Sequence, residues 1–139
     1  MKRPYISGPL AGAADMSREE KESRFTRAEL ALRSIGYDPV NPLSVTGCQT
    51  QDCNGNAVYP NGSYKHSWSC WLRFDLIEML KSADGIAVLP RWEESEGSKL
   101  ERHVALQLGW EVIDLTNDPL VLGLPHELDR VRGGKRARR

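Results

Sequence analysis

The chain lacks any run of apolar residues that approaches the roughly 18 needed for a membrane-spanning helix. Its N-terminus reaches Gly8 before an apolar region of secretory length can form. These two absences disfavour membrane-spanning and secreted proteins. We therefore expect a cytoplasmic protein that has no membrane partner.

Net charge is also absent, because 19 Lys and Arg residues balance 19 Asp and Glu residues. The balance hides an asymmetry: residues 130–139 contain six Lys or Arg and no acid, which leaves 13 basic and 19 acidic residues in 1–129. An acidic body is a poor surface for nucleic acid. We expect the basic tail to be mobile and to make at most weak contacts with polyanions.

Standard nucleotide-binding motifs are missing as well. The small-residue segment Gly8–Gly12 lacks the spacing G-x-G-x-x-G, and no P-loop lysine and serine follow it. Classical NAD binding and ATP hydrolysis by a Walker-type loop are therefore disfavoured. The three histidines suggest no Ser-His-Asp arrangement.

The segments that are present alternate between strand and helix patterns. Apolar runs and helical spacing predict, in order, a strand at 4–7, a helix from Ser17 to Gly36, a strand at 37–40, an irregular loop at 43–65, a helix at 68–83, a strand at 85–89, a helix at 100–108 and a strand at 112–115. This alternation predicts a single α/β domain over 1–117, a parallel sheet with helices on both faces. Residues 118–129 contain enough leucines to pack on it. Ligands of such sheets bind at the carboxyl ends of the strands.

Two carboxylates stand out against this pattern. Asp75 lies within the apolar stripe of its helix, where a carboxylate is costly unless it is paired with a cation such as Arg73 or Arg91. Glu101 lies near the start of the next helix, where Ser98-Lys99-Leu100-Glu101 matches a capping box. A helix N-terminus would favour an ionised, nucleophilic Glu101. Structural and catalytic roles are both open at each position.

The cysteines and one histidine form a second constellation. Cys48, Cys53, His66 and Cys70 have the spacing C-x4-C-x12-H-x3-C, which is close to that of zinc ligands. A structural zinc would hold the irregular loop in place. The alternative is a buried Cys70 with two free, exposed thiols, and an intracellular disulfide is disfavoured.

Four separated segments resemble the nucleoside 2-deoxyribosyltransferase superfamily, and in particular its short branch from bacteria and phages. They are Tyr5-Ile6-Ser7-Gly8-Pro9-Leu10-Ala11-Gly12, Asn41-Pro42, Asp75 ahead of Ala83-Asp84-Gly85-Ile86, and Ser95-x-Gly97-x-x-x-Glu101. The resemblance implies a flavodoxin-like, Rossmann-like fold and cleavage of the bond between base and sugar. It also implies a homodimer or larger homo-oligomer, and the helix with Trp68 and Trp71 offers an interface.

The resemblance assigns roles to residues of the motifs. Glu101 matches the nucleophile that forms a glycosyl-enzyme intermediate, and Asp75 matches the acid that assists departure of the base. The expected substrate-binding residues are Tyr5, Ser7, Gly8, Pro9, Ser95 and Gly97, and Trp92 is a candidate for stacking on the base. No cofactor is expected for catalysis.

The residue six positions before Glu101 bears on the substrate. It is Ser95, as in relatives that hydrolyse nucleoside 5′-monophosphates, and a hydroxyl at a helix N-terminus suits a phosphate. Pro9 and Ala11 replace a phosphate-binding Ser and Arg of those relatives, so Arg91 or Lys99 would have to substitute. We expect an N-glycosidase of (deoxy)nucleoside 5′-monophosphates. A deoxyribosyltransferase and a non-catalytic nucleotide-binding module are the alternatives.

Overall fold

The computed structural model describes residues 2–45 and 68–124 of the chain. Its strands are β1 (Pro4–Ser7), β2 (Gly85–Val88) and β3 (Glu111–Asp114), and its helices are α1 (Arg18–Ser34), α2 (Trp68–Ser82), α3 (Glu96–Gln107) and α4 (Pro119–Leu122). Short 3-10 turns cover Pro42–Ser44 and Trp92–Glu94. None of the helices within these two ranges is long and apolar enough to cross a membrane.

The three strands form a parallel sheet in the order β1-β2-β3. Alternate side chains of each strand point to opposite faces, so each face has its own apolar core. Ile6 and Ala87 pack with Phe25 and Leu32 of α1 on one face. On the other face, Tyr5 packs with helices α2 and α3. The predicted α/β parallel sheet with helices on both faces is confirmed.

The predicted strand at 37–40 is wrong, since only one bridge forms there, between Tyr5 and Val40. Val40 accepts a hydrogen bond from the Ile6 amide and donates one to the Pro4 carbonyl. Pro39 has no amide hydrogen to extend the ladder, and Pro42 begins a 3-10 turn directly afterwards. The two prolines therefore prevent a strand from forming, although the apolar pattern favours one.

The position of Val40 nevertheless decides where a ligand can bind. It lies outside β1, so the chain crosses from β1 to Val40 and then returns to β2 on the other side of β1. This reversal makes the gap between the carboxyl ends of β1 and β2 the topological switch point of the sheet. Ligands of open α/β sheets bind at such a point.

Candidate active site

A cavity of about 340 Å³ opens at this switch point, which is a suitable size for a small organic ligand. Segments far apart in the chain line it: the end of β1 and its loop, the start of α1, the turn after Asn41, and the N-terminal halves of α2 and α3. Among its lining residues are both predicted catalytic carboxylates, Asp75 and Glu101. The structure therefore brings together two acids that are 26 positions apart in the sequence.

Glu101 is held by two hydroxyl groups of β1. The Ser7 hydroxyl donates to Oε1 at 2.6 Å, and the Tyr5 hydroxyl donates to Oε2 at 3.3 Å. Because the Ser7 proton is used in this way, the Ser98 hydroxyl is the donor in the 3.0 Å hydrogen bond between the two serines. Each oxygen of Glu101 thus has one donor, which fixes the orientation of a carboxyl that is only 6% exposed.

The capping box, which was the structural alternative for Glu101, does not form. Helix α3 begins at Glu96, and its N-cap is Ser95, whose side chain accepts a hydrogen bond from the Ser98 amide. Glu101 is therefore the sixth residue of the helix. The helix dipole acts most strongly within the first turn, and Glu101 lies beyond that turn. Burial raises its pKa to about 8, nearby Asp75 adds to the rise, and the hydrogen bonds from Ser7 and Tyr5 oppose it.

Asp75 is half-buried in the same cavity and has no cation beside it in the part of the chain that the structure describes. The predicted pairing with Arg73 or Arg91 is wrong: the Arg73 guanidinium lies 6.0 Å from the Phe74 ring, and Arg91 binds Asp15 and Glu94. Burial consequently raises the pKa of Asp75 to about 7. A carboxyl of this kind can exchange a proton near neutral pH.

Tyr5 completes the polar end of the cavity. Its side chain is fully buried in the sheet. Burial, together with the nearby Glu101 and Asp75 carboxylates, raises its pKa well above the ordinary 10.0. Tyr5 therefore keeps its proton and remains a hydrogen-bond donor to Glu101.

The other predicted binding residues differ in their relation to the cavity. Gly8, Ser95 and Gly97 line the cavity with Tyr5, whereas Ser7 contributes through its bond to Glu101. Gly8 has no room for a side chain, because an added Cβ would lie 2.7 Å from Cβ of Leu89. Pro9 is buried but does not line the cavity.

The structure does not bring Trp92 to the cavity. Its ring lies in a separate groove, where the Arg102 guanidinium stacks 4.8 Å from the ring centroid. Trp68 and Trp71, at the start of α2, line the cavity in its place. Their helical spacing with Asp75 is the signal that could have identified them as its aromatic wall.

Three further residues of the site carry polar groups that the sequence analysis missed. Ser98 is buried against Ser7, and its position one turn before Glu101 could have identified it. Arg18 and Glu22 line the cavity from α1 and form an ion pair of 2.8 Å with each other. No sequence signal distinguishes this pair from an ordinary pair on a helix surface.

The predicted zinc site falls mainly outside the described residues. Cys48, Cys53 and His66 lie there, and only Cys70, which is buried, is described. Among the described residues, no group of three His, Cys, Asp or Glu side chains could hold a metal ion. The structural zinc stays a prediction.

Comparison with known proteins gives one match. A protein-family model matches residues 2–114, from the start of the described chain to the end of β3, and therefore spans every segment that lines the cavity. No curated protein and no solved structure gives a significant match. Since the match covers most of the chain, the protein belongs to the family described as a domain of unknown function (DUF4406).

Proposed function

We propose that this protein is an N-glycosidase that hydrolyses the bond between base and sugar in (deoxy)nucleoside 5′-monophosphates. The observation that supports the proposal best is the pairing of Glu101 and Asp75 in one cavity at the switch point, with both pKa values raised towards neutrality. Cleavage of a glycosidic bond with a covalent intermediate requires two carboxyl groups in different protonation states. The chain requires no cofactor for this chemistry.

Glu101 is the proposed nucleophile. In its ionised form, one oxygen attacks C1′ of the sugar, so that the C1′–O bond forms while the C1′–N bond to the base breaks. The Ser7 and Tyr5 hydroxyls orient the carboxylate for this attack. Its buried position strengthens the attraction between the carboxylate and the positive charge that develops at C1′.

Asp75 is the proposed acid and base. Its raised pKa leaves a protonated fraction at neutral pH, and this proton goes to the departing base. Asp75 then accepts a proton from the water that attacks C1′ and releases the sugar phosphate from Glu101. Both carboxyls return to their starting states, so the cycle balances.

The N-terminus of α3 is the proposed phosphate site. Ser95 and Gly97 line the cavity there. The Ser98 amide donates to the Ser95 side chain, whereas the Glu96 and Gly97 amides have no partners within the helix. Arg91 and Lys99 bind acidic side chains and do not line the cavity. Arg18 is the one Lys or Arg among the described lining residues, and Glu22 already pairs with it. Recognition of the phosphate therefore depends on the amides and the Ser95 hydroxyl.

A homodimer is proposed as well, with its boundary near the cavity. The exposed apolar side chains of α2 are Trp68, Trp71, Ile77 and Leu80, and the first two also line the cavity. Leu80 is one turn from Ile77 and 52% exposed. Light scattering after gel filtration should give at least twice the chain mass for the native protein and less for Leu80→Lys. A native monomer would refute this part of the proposal.

The activity itself can be tested with a panel of nucleoside 5′-monophosphates and free nucleosides, each incubated with and without a second base. Chromatography then measures the base that is released. Release from monophosphates without an acceptor supports hydrolysis, and release only with an acceptor identifies a transferase. Binding without release from any substrate would leave a non-catalytic module and refute the proposal.

A further inference from the structure

Arg91 joins two loops that each lead into residues of the cavity lining. Its guanidinium donates to both oxygens of Glu94, at 2.6 and 2.7 Å, and to both oxygens of Asp15, at 2.6 and 3.2 Å. Asp15 lies near the end of the loop between β1 and α1, and Glu94 ends the turn that follows β2. The planar fork of arginine is suited to such bidentate bonds, and lysine cannot reproduce them.

The backbone around Arg91 is fitted closely to this connection. Arg91 has a left-handed conformation, with φ of 66°, which is unfavourable for a residue with a side chain. Gly12 of the first loop packs directly on the second, because an added Cβ would overlap the carbonyl oxygen of Glu94. The two loops thus meet through backbone contact as well as through the guanidinium.

Both loops continue directly into cavity residues. Gly8 and Ala11 line the cavity from the first loop, and Ser95, the residue after Glu94, lines it and caps α3. The bonds that hold Glu101 come instead from Ser7 and Tyr5 of β1, so they do not depend on Arg91. Arg91 therefore holds the two loops together, whereas Ser7 and Tyr5 orient the proposed nucleophile Glu101.

We infer that Arg91 is a positioning residue that sets the distance between the β1 loop and the N-terminus of α3. The inference rests on the proposed function as far as substrate is concerned. Loss of the guanidinium frees the first loop to move away from α3, which weakens binding of the sugar and phosphate. It leaves Glu101 and Asp75 in place, so the chemical step continues once substrate is bound.

The test compares Arg91→Gly, Arg91→Lys and the control Arg33→Ala with the native chain. Glycine adopts the left-handed conformation without strain, so Arg91→Gly removes the guanidinium and keeps the backbone. Arg33 similarly bonds two acids, Glu29 and Asp38, but it joins α1 to the segment that follows this helix, and none of these three residues lines the cavity. For each protein, kcat and KM for a monophosphate and amide hydrogen exchange of residues 10–16 are measured.

We expect Arg91→Gly to raise KM about tenfold with kcat within twofold, and to speed exchange in residues 10–16. Arg91→Lys should show a smaller change in the same direction, and Arg33→Ala should show neither change. Unchanged exchange in Arg91→Gly, or a fall in kcat at constant KM, would overturn the inference. If the native chain releases no base, the proposed function fails, whereas the exchange measurement still decides whether Arg91 holds the loop.

Discussion

At the scale of single residues, the chemistry of the site follows from where two carboxyl groups are buried. Glu101 is buried and Asp75 is half-buried, neither has a cation beside it among the described residues, and so burial raises the pKa of both. Each ionised carboxylate also raises the proton affinity of the other. The two groups therefore titrate as a coupled pair. Because Glu101 has the higher pKa, the one-proton state carries its proton mainly on Glu101, and the proposed mechanism acts through the smaller population in which Asp75 holds the proton and Glu101 is ionised.

The pH dependence of kcat/KM should reflect this pair. With pKa values of about 7 and about 8, the one-proton state is most populated between these values, so we expect a bell-shaped profile with its maximum there. In Asp75→Asn the proposed proton donor is lost, so the remaining rate should rise to a plateau as Glu101 ionises, and the alkaline limb should disappear. Rates of base release from pH 5 to 9 check both statements, and a flat profile would contradict them.

The raised pKa of Glu101 should also make the stability of the fold depend on pH. The pKa of Glu101 rises from the ordinary 4.5 to about 8 on folding, so the folded state binds more protons between these values and stability falls as pH rises through them. The fall is at most about 1.4 kcal/mol per pH unit. We therefore expect Glu101→Gln to gain in Tm relative to the native chain between pH 5 and pH 8.

Glu20→Gln is the matched control. Arg24 lowers the pKa of Glu20, so the contribution of Glu20 to stability changes with pH in the opposite direction from that of Glu101. The native stabilisation from this pair is present above the ordinary pKa of glutamate and is lost as pH falls. A Tm difference for Glu101→Gln that does not change with pH would show that Glu101 ionises normally in the folded chain.

The sequence was informative about residues where a local pattern was broken. Asp75 interrupts an apolar helical stripe, and this alone predicted its half-buried position. The pKa of Glu101 could not be predicted, because Ser95 and Ser98 both match an N-cap and only the folded chain selects Ser95. Because Ser95 is the cap, Glu101 lies beyond the first turn of α3. Burial, and not the helix terminus, is therefore the main influence on the pKa of Glu101.

At the scale of elements, α3 carries both the proposed nucleophile and the proposed phosphate site, so its N-cap has two consequences. Ser95 caps α3, whereas Asp118 caps α4 by accepting hydrogen bonds from the Leu120 and Val121 amides. Asp118 does not line the cavity. The two caps therefore separate the effect of a cap on stability from the effect of a side chain on substrate binding.

Ser95→Ala and Asp118→Ala should each lower the free energy of unfolding by about 1 kcal/mol. Only Ser95→Ala removes a hydroxyl from the cavity, so only this variant should raise KM for a monophosphate, severalfold. Urea unfolding and steady-state kinetics measure the two effects. Equal KM values for the two variants would remove Ser95 from the proposed phosphate site.

Helix and strand positions were predictable to different degrees. The period of the apolar residues and the Ser17 cap located α1, because these signals are local. The segment at Val40 has strand character by composition but pairs through a single bridge, since Pro39 and Pro42 limit the ladder. The periodicity of apolar residues does not take account of the two prolines, and for this reason it predicted a strand there.

At the scale of the whole molecule, the site is a product of topology. The return of the chain from Val40 past β1 to β2 creates the switch point, and the cavity forms there from segments that are distant in sequence. The alternation of elements predicted the edge of the sheet at which the cavity opens. It could not predict that Trp92 faces a different groove from Glu101, because both follow the same strand β2 and only the path of the turn separates them.

The rate of base release by Glu101→Gln tests the central claim most directly. Its matched control is Glu19→Gln, which changes an exposed glutamate of α1 outside the cavity. Removal of a covalent nucleophile should lower the rate by at least about a thousandfold, while Glu19→Gln keeps the native rate. A Glu101→Gln variant that is folded and releases base at a rate near that of the native chain would contradict the assignment of Glu101 as nucleophile.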